Sequence, residues 1–308
     1  YSWRSSLTTG GTPGLTNSVA GLLARPVMTS WSVSPSHPRS SDEVRVEVVL
    51  EGEAGKIRRV DLRYERWDTV SKSTMQTIQM EHVASQDGHT QYRAAIPPHS
   101  TQSLIRFNWR VVLTDGTTLI LPHIAEPRPF ESYFVYNGEI PSLLPILWMF
   151  PDRATNLISP SRTVRGVAIM PLESDSVQLF DGARIIPSLV DQTGRKIRFL
   201  KGEEYRNDRT INLSPESPTH PNSGGPDTNH KEHLAFQVFV DQGVRVPRCD
   251  WYRAIENGVQ GQRTATQQVN EKFLEINEMD PMADIYKIAY NEPYQVPGFS
   301  IKFSKQTN

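Results

Sequence analysis

Alternation of apolar and polar residues between Trp31 and Asn137 is the feature that most constrains the fold of this chain. Segments in which about every second residue is apolar recur there, separated by turn residues at fairly regular spacing. The segments are "VRVEVVLEG" (44–52), "IRRVDLRYERW" (57–67), "MQTIQMEHV" (75–83), "TQYRAAIP" (90–97), "SLIRFNWRVVLTDGTTLILP" (103–122) and "ESYFVYN" (131–137). A period of two residues is typical of half-buried β-strands, so the pattern predicts a β-sandwich over about 110 residues, 27–137.

The regions on either side of this sandwich have a different composition. Residues 1–26 are rich in Gly, Ser, Thr and Pro, which predicts the end of a preceding module and a linker. Residues 138–160 contain "GEIPSLLPILWMF" and are predicted to be a second linker. From 161 to 308 the pattern is mixed, with strands over 163–172 and 175–202 and a Pro-rich loop over 209–228. The predicted fold class is therefore multidomain, an all-β sandwich followed by an α+β unit.

The helix signal is clearest in "NHKEHLAFQVFVDQG" (229–243). Asn229 can cap the helix with Glu232 closing a capping box, and Gly243 can end it. We expect its apolar face to pack on the strands at 195–200 and 246–255. That face consists of Leu234, Phe236, Val238 and Phe239.

Charge and composition exclude several classes of function. Lys plus Arg (33) nearly balance Asp plus Glu (34), so the chain has no net field that would attract nucleic acid. It contains no run of about 18 apolar residues, so no membrane span is predicted. The single cysteine, Cys249, excludes an internal disulfide and is expected to be a packed apolar side chain rather than a nucleophile. Trp67, Trp109 and Trp148 are expected in the core rather than as ligand platforms.

A family resemblance rests on the order of five segments. These are "RKIRFLKG", "INL", "KEHLAFQVFVDQGVRVPRCDWYRAIENG", "QQVNEKFLEIN" and "DIYKI", between about 165 and 290. Their order resembles the kinase domain of spore coat protein H (CotH-type) proteins. Upstream, "WRSSLTTGGTPGLTN" is similar to the last strand of a lamin-tail-type domain, and the sandwich ending in "FESYFVYNGEIP" resembles an immunoglobulin-like or fibronectin-like module.

The resemblance implies a secreted or cell-surface bacterial protein whose last domain, 161–308, is a partial kinase-like unit. It implies phosphoryl transfer from Mg-ATP to a protein substrate or surface protein. The matching position for the phosphate-contacting lysine is Lys196. The alternative is that Lys196 is one of several basic residues on an exposed strand face, together with Arg195, Arg198 and Lys201.

The acidic positions of the family pattern "E-x-x-D-x-x-F-L" are occupied here by Gln267 and Asn270. An amide carries no negative charge, so it holds Mg²⁺ less well and cannot act as a base near neutral pH. The alternative for Asn270 is the N-cap of the following helix. Asp227 is the nearest candidate for the acid that opens the family's helix, displaced by about one residue. The chain also ends at "SIKFSKQTN", before the family's "W-D-x-D"-like metal-binding stretch.

We therefore expect a kinase-like scaffold without activity. The rival hypothesis is a non-catalytic adhesion or surface-display segment in which the β-sandwich is the functional part. A further hypothesis is a metal pair formed by His230 and His233, near His220, with exposed histidines at the start of the helix as the alternative.

Overall fold

The computed structural model describes residues 25–150, 166–172, 176–187, 194–214, 231–256, 258–290 and 301–305. These residues are mostly β-sheet and form several sheets. They divide into two compact units. The first contains the described residues up to Arg66, with Ser73–Thr101 and Ile105–Asn137, and the second contains Trp67–Lys72, Gln102–Leu104 and the described residues from Gly138 onward.

The first unit is built on two sheets. In one, the order is β1-β2-β6-β5, with β1 at Val27–Ser34, β2 at Val44–Glu51, β5 at Glu81–Gln86 and β6 at His89–Ile96. In the other, the order is β4-β3-β7-β8 and β9 also pairs with β7. These strands are β3 at Ile57–Trp67, β4 at Gln76–Gln79, β7 at Ser103–Leu113, β8 at Thr118–Leu121 and β9 at Glu131–Val135. The order of the first sheet is that of strands A-B-E-D in constant-type immunoglobulin domains.

The core of this unit joins the alternating residues of both sheets. Along β2, Val44, Val46, Val48 and Leu50 are buried while the residues between them are exposed or half-buried. β7 contributes a second buried row, which is Ile105, Phe107, Trp109, Val111 and Leu113. The predicted sandwich is confirmed. Trp109 is fully buried, as are Trp67 and Trp148 in the second unit, which confirms the expectation that all three are core residues.

The second unit contains an eight-stranded sheet in the order β12-β11-β10-β16-β17-β15-β14-β13. Its strands are β10 (Ile146–Met149), β11 (Gly166–Met170), β12 (Gln178–Asp181), β13 (Arg184–Pro187), β14 (Arg195–Arg198), β15 (Thr210–Ser214), β16 (Cys249–Glu256) and β17 (Val259–Gln267). β10 and β16 are parallel, and the other adjacent pairs are antiparallel. Separate elements are the pair β18 (Tyr286–Tyr290) and β19 (Ile301–Lys305), with helices α1 (Lys231–Asp241) and α2 (Glu271–Ile276).

Two stretches predicted to be irregular contribute strands to this sheet. β10 lies inside 138–160, the predicted linker, and all four of its residues are buried. β15 lies at the start of 209–228, the predicted loop, and it pairs with β14 and β17. Both stretches were misassigned because their strands are short and stand next to prolines. The rest of that predicted loop, 215–228, and the predicted remnant over 1–24 lie outside the described residues.

Helix α1 forms where it was predicted, but its packing differs from the prediction. Gly243 has φ +75°, and the bonds from Val244 N to Phe239 O (2.9 Å) and from Gly243 N to Val240 O (2.8 Å) end the helix as a Schellman motif. The predicted cap, Asn229, lies outside the described residues. Leu234, Val238 and Phe239 are exposed, so the prediction that they are buried was wrong. The helix contacts the sheet through the opposite side.

Among the described residues, no helix combines the length and the apolar character needed to cross a membrane.

Candidate functional site

The predicted phosphate-contacting residue, Lys196, lies on β14 with its side chain half-buried. Strand pairing aligns it with Asn212 on β15 and, one strand further, with Thr266 on β17, so these residues share one face of the sheet. Lys196 Nζ donates to Gln268 Oε1 at 3.2 Å, and Asn212 Nδ2 lies 3.4 Å from the same oxygen. The structure therefore brings Lys196 together with two amides, Asn212 and Gln268.

The other basic residues of this strand do not form one basic face with Lys196. Arg195 points to the opposite side of the strand, and its Nε lies 2.9 Å from Glu256 Oε1 on β16. Arg198 shares the face of Lys196 and is exposed. Lys201 lies beyond the strand and is also exposed. The four basic residues thus have separate surroundings.

Gln267 is buried on the opposite face from Lys196. Its Oε1 accepts from Arg248 N at 3.2 Å, and its Nε2 donates to Asp208 Oδ1 at 2.8 Å. The other carboxylate oxygen of Asp208 forms an ion pair with Arg248. Asp208 is itself buried, so both ends of the Gln267 amide are used to join β17 to this ion pair.

Asn270 is the N-cap of α2. Its backbone is extended (φ −155°), and its Oδ1 accepts from Lys272 N at 3.0 Å and from Phe273 N at 3.2 Å. These contacts are the ones that an N-cap asparagine makes. The helix they start buries Phe273 and Leu274. The capping alternative given for Asn270 is therefore confirmed.

A group of charged residues near Gln267 has no counterpart in the predictions from sequence. Arg206 and Asn207 form the two-residue turn of a small hairpin and both have positive φ, +52° and +65°. A positive φ is unfavourable for arginine. Arg206 is held by its NH1, 2.8 Å from Asp250 Oδ2. The signal in the sequence was "RND", a turn tripeptide, but nothing in it specified the partner on β16.

Two buried tyrosines, Tyr205 and Tyr252, adjoin this turn. Burial, followed by the interaction with Tyr205, raises the pKa of the Tyr252 hydroxyl. Tyr252 consequently stays protonated and donates to the Tyr205 hydroxyl at 3.3 Å. Burial lowers the pKa of Arg206, but Asp250 and the Tyr252 hydroxyl outweigh this effect, so the net shift is upward. The guanidinium of Arg206 remains charged, and its ion pair with Asp250 holds the turn against β16.

A cleft of about 340 Å³ lies between α1 and the strand residues that follow it. Its walls are mixed in character. The apolar part is Phe236, Val240, Val246, Pro247, Cys249 and Ile276, and the polar part is His233, Gln237, Arg248, Asp250, Gln267 and Asn277. Lys196 does not line the cleft, so the cleft and the lysine cluster are separate features.

His233 fixes α1 to β16. Its ring packs on Trp251 with centroids 4.1 Å apart, and its Nδ1 lies 2.8 Å from Cys249 O. Because a carbonyl oxygen only accepts, the proton is on Nδ1. Cys249 is buried with Sγ 3.8 Å from Thr266 Oγ1, which agrees with its expected role as a packed side chain.

The remaining site predictions fall outside what the structure describes. Asp227, His220 and His230 are not among the described residues, so neither the acid position nor the histidine pair can be placed. Within the described part of the chain, no three His, Cys, Asp or Glu side chains are grouped so that they could hold a metal ion.

Gln267 and Asn270 do not fit a Mg²⁺ site. Magnesium needs oxygen ligands in near-octahedral arrangement. The Gln267 oxygen already accepts from Arg248 N, and the Asn270 oxygen already accepts from two backbone N–H groups. Lys196 does fit a role as a contact for a phosphate oxygen, since it lies half-exposed beside amide groups.

Comparison with known proteins finds no matching family model and no matching curated protein. Two of the solved structures that show a likeness come from Listeria monocytogenes and Bacillus subtilis. One is a cycloalternan-forming enzyme from Listeria monocytogenes in complex with a pentasaccharide substrate, at 10% identity over 59% of this chain, with a TM-score of 0.26. The other is Spo0M, a sporulation control protein from Bacillus subtilis, at 11% identity over 70% of this chain and 98% of that chain, with a TM-score of 0.25. The chain spans only 17% of the Listeria enzyme, and at these scores neither structure establishes a fold or a function for it.

Proposed function

We propose that this chain is a segment of a CotH-type secreted or surface protein in which the second unit is a kinase-like scaffold that does not transfer phosphate. Its role is then to bind or display a protein partner at the cell surface, with the β-sandwich as an immunoglobulin-like spacer or binding module. This proposal joins the family resemblance of the sequence to the contacts of the described residues.

The observation that carries the proposal is the use of Gln267 and Asn270 in the fold. In the family pattern these positions hold acids that serve the metal. Here one amide joins Asp208 to the backbone of Arg248, and the other caps α2. Releasing either side chain toward a metal would break two hydrogen bonds. Both positions therefore favour a structural role over a catalytic one.

Lys196 alone supplies little catalysis. In phosphoryl transfer, metal ions and positive side chains together neutralise the charge that develops on the transferred group. Without acidic ligands to hold the metal ion, the site loses several kcal/mol of transition-state stabilisation, which corresponds to about a thousandfold or more in rate. We therefore expect Mg-ATP to bind weakly or not at all.

The test is phosphate transfer by the purified chain with labelled ATP, Mg²⁺ or Mn²⁺ and a Ser-rich protein acceptor. Lys196→Ala is compared with Lys201→Ala, because Lys201 is an exposed lysine a few residues away that lies outside the cluster. We expect no incorporation above background in any of the three proteins. Incorporation that is lost in Lys196→Ala and retained in Lys201→Ala would show that the unit is an active kinase and would refute the proposal.

A further inference from the structure

Three polar residues form a row across the end of the eight-stranded sheet. Strand pairing places Arg198 on β14 directly opposite Arg184 on β13 and, on its other side, opposite Thr210 on β15. The adjacent row is buried in the core and consists of Ile185, Ile197 and Ile211. Consecutive residues of a strand point to opposite sides of the sheet, so the polar row points away from this core. We refer to Arg184, Arg198 and Thr210 as the arginine row.

The two arginines of the row are positively charged neighbours without an acidic partner. Both are exposed, and neither forms an ion pair or a hydrogen bond with any residue that the structure describes. Arg195, on the same strand, is by contrast paired with Glu256. Like charges directly opposite each other on neighbouring strands are destabilising. The pairing register of β13 and β14 thus holds two cations together at a cost that a bound anion would offset.

Thr210 gives a second, independent indication of a ligand. It is only 8% exposed, and its hydroxyl group makes no hydrogen bond within the described part of the chain. Buried polar groups are normally hydrogen-bonded, and a hydroxyl group can donate to an oxygen held beside it. An unpartnered hydroxyl next to two unpartnered guanidinium groups therefore indicates a ligand that is negatively charged and accepts hydrogen bonds.

We propose that the arginine row binds a tetrahedral oxyanion with two negative charges, which is a phosphate or sulfate group of a ligand. Each guanidinium presents N–H donors in a planar fork that matches two oxygens of such a group. Two forks and one hydroxyl group supply more donors than the two oxygens of a carboxylate can use, whereas a tetrahedral oxyanion offers four. Its charge also compensates both arginines.

This site is distinct from the Lys196 cluster. Lys196 precedes Arg198 by two residues on the same side of the strand, but its Nζ donates to Gln268 Oε1. Binding at the arginine row requires no phosphate transfer, so it holds or fails independently of the proposed function. Because ion pairs of exposed side chains are weak, we expect a Kd for inorganic phosphate on the order of 1–10 mM.

Titration of the whole chain with inorganic phosphate tests the proposal, with NMR detection of the Nε–Hε signals of Arg184 and Arg198. The ionic strength is kept constant so that general screening does not contribute. We expect saturable shifts of both signals. Arg198→Gln should weaken binding at least tenfold, and Thr210→Val about threefold. Arg58→Gln is the matched control and should bind as before, because Arg58 is an exposed arginine on β3 without a partner among the described residues. Circular dichroism checks that the variants are folded.

A charge reversal separates anion binding from a purely structural role. Arg184→Glu places a carboxylate directly opposite Arg198, and opposite charges in this position are stabilising. We expect a higher Tm than that of the unmodified chain in phosphate-free buffer, and no response to phosphate.

Sulfate and acetate complete the titration. Sulfate that binds as tightly as phosphate would support a site for either oxyanion, and weaker sulfate binding would support a phosphate site. Acetate that binds as tightly as phosphate would overturn the proposal, as would shifts that do not saturate. Equal losses in Arg198→Gln and Arg58→Gln, or phosphate binding that persists in Arg184→Glu, would also overturn it.

Discussion

Replacement of Gln267 by leucine removes two hydrogen bonds from a buried position while keeping a side chain of similar size. The change leaves Asp208 Oδ1 without its 2.8 Å donor and Arg248 N without its 3.2 Å acceptor. A hydrogen bond to a charged group contributes about 1.5–3 kcal/mol and a neutral one about 1 kcal/mol. Because Asp208 is 4% exposed, water replaces the lost donor poorly. We expect the free energy of unfolding of the second unit to fall by about 2–4 kcal/mol.

The neighbouring residue provides the control. Gln268 is half-buried, so water can replace its amide oxygen at Lys196 Nζ, 3.2 Å away, and at Asn212 Nδ2, 3.4 Å away. Gln268→Leu should therefore cost less than about 1 kcal/mol. Urea unfolding gives both values, with hydrogen exchange of β15 and β17 amides assigning the transition to the second unit. Equal losses in the two variants, or a Gln267→Leu loss below about 0.5 kcal/mol, would show that Gln267 does not hold the Asp208–Arg248 pair.

Restoring an acid at the same position gives a prediction about pH. In Gln267→Glu, a carboxylate replaces the amide nitrogen that now lies 2.8 Å from Asp208 Oδ1. Two carboxylates so close do not both ionise easily, and the pKa of the pair rises in the folded protein. A raised folded pKa means stability that is present below the unfolded value of about 4.3 and is lost as the pH rises through the folded value. The loss relative to the unmodified chain should be larger at pH 7.5 than at pH 5, and a loss that does not change with pH would contradict this reasoning.

Three further changes test other contacts. Asn270→Ala should lower the stability of the second unit by about 1 kcal/mol and Asn270→Asp should leave it nearly unchanged, as thermal unfolding can show, because aspartate also caps helices. Arg106→Leu should lower the free energy of unfolding of the sandwich, measured in urea, by about 3–5 kcal/mol, because the Glu65 carboxylate, 3.1 Å from Arg106 NH1, then stays buried without this ion-pair partner. The loss should be smaller in the double variant that also carries Glu65→Met. Burial, and then the charge of Arg66, lower the pKa of His99 in the folded protein. The stability that depends on neutral His99 is therefore present above about pH 6.5 and is lost as the pH falls below that value. His99→Gln should reduce the change in the Tm of the sandwich between pH 7 and pH 5, and an unchanged pH dependence of the Tm would contradict this.

The strands of the sandwich could be predicted because one side of each faces the core and the other faces water. β2 shows this most clearly, with four buried residues separated by exposed or half-buried ones. β10 could not be predicted in the same way. All of "ILWM" is buried, so no alternation marks it, and a short apolar run between prolines is equally compatible with a linker.

For α1, the position could be predicted from the sequence but the packing could not. Its position and its end at Gly243 follow from local signals, which operate within one turn of the chain. Which of its apolar residues are buried depends on distant parts of the molecule. Apolar residues lie on two sides of α1, so its pattern does not indicate which side packs on the sheet. The packing of the His233 ring on Trp251 decides it. The stacked ring, rather than Leu234 or Val238, attaches the helix to β16.

The two adjacent glutamines explain why the candidate site was only partly predictable. Consecutive residues of a strand point to opposite faces, so Gln267 and Gln268 must have different surroundings, but the pair "QQ" does not say which is which. The pairing of Ile211 with Gln267 decides it. That register turns Gln267 toward Asp208 and leaves Gln268 next to Lys196. The amide nearest to the lysine is therefore not the one at the family's glutamate position. An acid restored at 267 would lie on the wrong face to act with Lys196, and for this reason the single substitution Gln267→Glu should not create phosphate transfer in the labelled-ATP assay.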